Sequence, residues 1–135
     1  MKRFLPSILL FLIGGGIYYM LEILWRGFSH WSMFLAGGAC FWAVDDVNRR
    51  LKKGTPIWVR CSIGAAIITV LEFVAGCIVN LWAHWNVWDY SRFYFNFMGQ
   101  VCLLYTVIWF FLSAPLIWLA AKIRTGVEQL FHIKR

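Results

Sequence analysis

Two carboxylates interrupt runs that are otherwise almost wholly apolar: Glu22 in IYYMLEILW and Glu72 in IITVLEFVAG. A charge at the centre of a membrane helix costs about 2.5–3.5 kcal/mol on insertion scales, so it persists where it meets a partner or a cavity. Residues four apart share a helix face. Glu72 therefore lines up with Gly76, Asn80 and His84, and Glu22 lines up with Tyr18 and Arg26, whose guanidinium can pair with it. Ser29, His30, Ser32, Asn86, Asp89, Arg92, Asn96 and Gln100 flank the two stripes at the same depth. Such a set can bind a polar or cationic group, or relay a proton. The expectation is a substrate-binding site of Glu22, Arg26, Glu72, Asn80, His84 and Asp89, drawn from separate helices toward one face of the membrane. The competing reading is that the two carboxylates are satisfied by their neighbours and only lock helix packing.

Other chemistries are poorly provided for. HExxH and GxSxG are absent, so neither a zinc protease nor a serine hydrolase is indicated. GxxxxGK[ST] is absent too, so the chain does not bind and hydrolyse ATP by the usual route. Cys40, Cys61, Cys77 and Cys102 lie in or beside apolar runs without CxxC or Cys/His ligand spacing. No metal, cofactor or catalytic residue is expected, and an enzyme is the least favoured class.

The positioning elements follow from composition. Of 135 residues, 61% are hydrophobic and only 14% charged, which indicates an integral membrane domain and not a soluble one. A crossing helix needs roughly 20 apolar residues. Four spans are expected, at about 4–25, 28–44, 57–83 and 97–121, giving an all-α membrane protein in one domain. The start, MKRFLPSILLFLIGGG, has the outline of a signal peptide, but its apolar run continues past the glycines and reads as a retained first span. Lys2 and Arg3, five basic residues in the second connection and four in the tail make eleven on one side; Arg26 and Arg92 make two on the other. The positive-inside rule then puts both termini in the cytoplasm of a cell inner membrane.

Net charge +7 is accounted for by this orientation and by anionic lipid, with no need for nucleic acid. The third connection, about residues 84–96, is rich in Trp, Tyr and Phe and is expected to lie in the outer interface. Gly14, Gly15, Gly16, Gly37, Gly38, Gly64 and Gly76 are expected to let helices approach closely. In DDVNRRLKKGTP, Asp45 or Asp46 can pair with Arg49 or Arg50 to extend a helix into water. A weak parallel two-helix repeat is suggested by Leu-Glu at 22 and 72, His-Trp at 30 and 84, and Gly-x-x-Cys at 37 and 99.

LEILWR, SHWSMFLAGGACF, LEFVAGCIVNLWAHWNVWDYS and FNFMGQVCLLYTVIWFFLSAPLIW together resemble the ABC-transporter type IV family of small bacterial integral membrane proteins. The resemblance runs from about Tyr18 to Trp118. It implies a small polytopic fold and a transporter-permease role. Glu22, Arg26, His30, Trp31, Glu72, Asn80, Trp82, Asn86, Trp88, Asp89, Tyr90 and Gln100 match the family pattern. Since the chain has no nucleotide-binding domain, the implied partners are a cytoplasmic ATPase, a second membrane subunit or further copies of itself, besides membrane lipids.

Overall fold

The computed structural model describes residues 4–27, 30–85 and 87–132, without the side chain of Arg26. Ser29 and Asn86, both expected to flank the polar stripes, lie outside the described residues. Four α-helices dominate: α1 (Leu5–Arg26), α2 (Trp31–Arg50), α3 (Ile57–Gly76) and α4 (Leu103–Leu130). α3 continues into a π-helical segment, Cys77–Trp82, and two short strands, β1 (Asn96–Phe97) and β2 (Val101–Cys102), precede α4. Among the described residues, three stretches are long and apolar enough to cross a membrane: Leu5–Trp25, Ile57–Trp82 and Leu103–Leu130. α2 has 20 residues, but Asp45, Asp46, Arg49 and Arg50 occupy its last turns.

The chain forms two compact units. The first contains α1, α2 and α4 from Pro115 onward. α1 starts with Pro6 in its first turn, where a missing N–H costs nothing. It stops at Gly27, whose φ of 82° lets its N–H return to the Ile23 carbonyl. His30 starts α2: its Nδ1 accepts the Ser32 N–H at 3.1 Å and its carbonyl accepts the Met33 N–H at 2.9 Å. α1 and α2 pack as an antiparallel pair with glycines on both sides. Gly14 and Gly15 receive Phe41 and Phe34, while Gly37 and Gly38 receive Tyr18 and Phe11. A Cβ on Gly37 would stand 2.5 Å from the Tyr18 Cβ. Leu10, Phe41 and Ala120 are buried at the centre, ringed by Leu116, Leu119 and Ile123.

At one end of this unit lies an ion-pair cluster. Arg124 Nη2 stands 2.8 Å from Asp45 Oδ2, both side chains buried, and also donates to Ser7 Oγ at 3.3 Å. Arg49 reaches the same Asp45 oxygen at 3.1 Å, and Arg49 and Arg50 each bind Asp46 at 3.1 Å. The local pairs carry α2 beyond the Val44 expected from hydropathy, as helical spacing of opposite charges allows. The Arg124 partner makes Asp45 a buried tie between helices as well as part of a solvated helix extension.

The second unit spans Leu51–Ala114. Its opening turn is clamped by Arg60, whose guanidinium donates to the Lys52 and Thr55 carbonyls at 2.8 and 3.1 Å. α3 begins after Pro56, held extended at ψ 153°. Thr69 and Thr106 hydroxyls meet at 3.1 Å between α3 and α4. The expected fourth span starts too early: α4 begins at Leu103, because Asn96–Cys102 folds as an antiparallel hairpin with Asn96 opposite Cys102. Phe95, Met98 and Gly99 have φ of 57°, 56° and 73°, values incompatible with a right-handed helix. The suggested repeat also breaks here, since Gly37 sits inside α2 whereas Gly99 turns a hairpin. Pro115 lies within α4, where its ring removes one backbone donor.

Candidate functional site

Glu72 is buried on α3, yet its carboxylate is well supplied with donors. Tyr90 gives its hydroxyl to Oε1 at 2.8 Å, and Trp109 gives its indole N–H to Oε2 at 3.0 Å. One donor comes from the loop after α3 and the other from α4. The two donors thus engage one carboxyl oxygen each. Aromatic rings wall this group. Tyr90 stacks on Tyr105 at 4.8 Å, Phe93 meets both rings edge-on at 5.8 Å, and Tyr105 lies 6.2 Å from Trp109.

About two helical turns further along, Asn80 has a different task. Its Oδ1 accepts the Val87 and Trp88 N–H groups at 2.7 and 3.3 Å, and its Nδ2 donates to Gln100 Oε1 at 2.8 Å. Gln100 Nε2 goes on to the Met98 carbonyl, and the Trp88 indole donates to the Gln100 carbonyl at 2.9 Å. The wide π-helical turn holding Asn80 thus receives the incoming loop through a side chain. Gly76 makes room beneath it, since a Cβ there would stand 2.9 Å from the Gln100 Cβ and 2.6 Å from its Oε1. Tyr90 is in turn fixed to the hairpin by its N–H on the Gly99 carbonyl at 2.7 Å. The loop that brings Tyr90 to Glu72 is therefore itself positioned by Asn80, Gln100 and the Gly99 turn.

The other anticipated site residues are placed less centrally. His84 is exposed, with φ of 57°. Asp89 is exposed and accepts the Ser91 N–H and hydroxyl. Those bonds, the hydroxyl's foremost and with Arg92 adding attraction, hold its carboxyl below the ordinary 3.8 despite a small opposing desolvation. Glu22 belongs to the first unit and is half-buried in α1. Arg26 ends α1, and its side chain lies outside the described residues. Among the described residues, no group of three His, Cys, Asp or Glu side chains is placed to hold a metal ion.

Trp109 and Tyr105 escaped the reading of the sequence. Both sit in the apolar run LLYTVIWFF, where an aromatic residue is read as facing lipid. The available hint was chemical: a partly buried indole seeks an acceptor, and Glu72 is the acidic residue within the neighbouring apolar run.

Three helices of membrane-crossing length among the described residues fit a multi-pass helical membrane protein. A sequence model of the family described as Putative ABC-transporter type IV matches residues 9–133. The chain belongs to that family. No solved structure matches it.

Proposed function

We propose that this protein is the membrane subunit of a transporter, working with a cytoplasmic ATPase, a second membrane subunit or further copies of itself. In this reading all four helices cross the inner membrane in one integral domain, and both termini are cytoplasmic. The substrate site is centred on Glu72 in the outer half of the bilayer, with Asn80, His84 and Asp89 shaping its approach. Glu22 and Arg26 are assigned to substrate contact on the same argument from an intramembrane carboxylate. The protein itself does no covalent chemistry.

One observation carries the proposal: Glu72 is buried in a span and receives donors from both a loop and α4, beside a wall of aromatic rings. Buried intramembrane carboxylates mark pathways for ions, protons or substrates. Purification in mild detergent followed by native mass spectrometry tests it. The expected result is a retained small molecule or an ATPase subunit, with the small molecule lost in Glu72→Gln at unchanged folded yield. A second reading, a structural or regulatory membrane protein, is favoured by the well-satisfied Asn80–Gln100 network. It expects Glu72→Gln to lower folded yield and no ligand to be retained by the wild type.

A further inference from the structure

A cleft of about 490 Å³ runs along the pairing of α1 and α2. Its size falls in the range of about 300–1,000 Å³ typical of small-ligand sites. Ile8, Phe11 and Leu12 of α1 and Trp42 of α2 make its sides apolar, while Ser7 and Asp46 make one end polar. The split follows the antiparallel pairing, which brings the start of α1 level with the end of α2. A ligand matching this cleft has a long apolar body and a polar head.

The charge at the polar end is specified too. Asp46 is held by Arg49 and Arg50, and Asp45 beside it by Arg49 and Arg124. Among the described residues of this cluster, three guanidiniums against two carboxylates leave one positive charge in excess. Arg50 engages Asp46 through Nε and its side chain is 76% exposed, so the rest of its guanidinium fork is accessible to a ligand. Arg presents donors that match phosphate oxygens in pairs. Ser7 accepts from Arg124, and its hydroxyl still carries a proton of its own to give. Trp42 is half-exposed, as suits an indole at the boundary between chains and headgroups.

From this complementarity we infer that the cleft is a binding site for a phospholipid with one net negative charge, of the phosphatidylglycerol type. One acyl chain lies along Ile8, Phe11, Leu12 and Trp42, and the phosphodiester is held by Arg49 and Arg50. The site belongs to the first unit alone and does not depend on the transport reading.

Native mass spectrometry of the full chain in detergent, titrated with phosphatidylglycerol, phosphatidylcholine or soluble glycerophosphoglycerol, tests the assignment. Phosphatidylglycerol is expected to bind at one per chain and at least tenfold more tightly than phosphatidylcholine. Arg50→Gln is expected to remove most of that preference, leaving Asp46 its Arg49 partner and so preserving the fold. Ile8→Trp, which fills the cleft without changing charge, is expected to weaken both lipids. Equal binding of the two lipids, or a preference unmoved by Arg50→Gln, would overturn the assignment. So would Ile8→Trp binding both lipids as tightly as the wild type. Glycerophosphoglycerol competing as well as the intact lipid would reduce the site to an anion contact without a chain and would equally overturn it.

Discussion

Tyr90 shows how one hydroxyl couples a loop to a buried carboxyl group. Its bond to Glu72 ends on a buried carboxyl oxygen, and leaving such a buried acceptor without its donor costs about 1–3 kcal/mol. Tyr90→Phe keeps the ring stack on Tyr105 but removes that donor. The expected outcome is a loss of about 1–3 kcal/mol in unfolding free energy in detergent, measured by denaturant titration. Trp109→Phe should behave alike, and the double variant should lose more than either, since each donor serves a different oxygen. Asp89 gives a pH-dependent counterpart at the surface. Its carboxyl is held below its ordinary value by Ser91, so ionised Asp89 favours the folded loop. That contribution is present above the unfolded value and lost as pH falls through the lower folded one. Thermal midpoints should therefore fall more steeply for the wild type than for Asp89→Asn between about pH 5 and pH 3, because Asn retains an acceptor and does not titrate. At this scale the sequence spoke clearly about Glu72, because a carboxylate inside an apolar run announces itself. It was silent about Trp109, 37 positions away, because nothing local distinguishes a donor indole from one facing lipid.

The helices were legible for a related reason: apolar length is a property of a segment and needs no partner to be seen. α1, α3 with its π-helical continuation, and the bulk of α4 follow the hydropathy runs closely. The hairpin at Asn96–Cys102 was not legible, because FNFMGQVC is apolar enough to resemble the start of a span. What decides it is backbone geometry at Gly99, where a Cβ would meet Ser91 Oγ at 2.7 Å and Asp89 Oδ1 at 2.8 Å. Asp45 was only half legible, since the local pairing with Arg49 hid the distant one with Arg124. The glycines were read as packing devices as a group, yet they differ individually, and this is testable within one helix pair. Gly37→Ala drives a Cβ into Tyr18, and overpacking of this kind costs about 1–3 kcal/mol. Gly16→Ala meets nothing within 4 Å and should be neutral, or stabilising by up to about 1 kcal/mol through helix propensity. Unfolding curves for the two variants, under one detergent condition, check the contrast.

Topology is a property of the whole chain, and it rests on α2. Three helices are long and apolar enough to cross unaided, while α2 ends in four charged residues. Its 20 residues nevertheless rise about 30 Å, matching the hydrocarbon thickness. Its buried face of Met33, Gly37, Gly38, Phe41 and Val44 is covered by protein, which relieves it of the need to be apolar all round. With α2 spanning, eleven basic residues face the cytoplasm and two face outward. With α2 left on the cytoplasmic surface, the best three-span arrangement puts the N-terminus outside and Arg26 inside, giving ten against three. Charge counting thus barely separates the two, and most of the chain has the same sidedness in both. Gly54, in open space, is expected on the cytoplasmic side in either arrangement, and Phe95, 81% exposed, on the external side in either. Trp31, at the start of α2 and 58% exposed, is the residue that decides. In a background without the native cysteines, Phe95→Cys should react with a membrane-impermeant maleimide added to intact cells, and Gly54→Cys should not. Trp31→Cys is expected to react as Phe95→Cys does, with an N-terminal tag protected from external protease. A protected Trp31→Cys together with an accessible N-terminal tag would place α2 on the inner surface and remove two termini on one side from the proposed architecture.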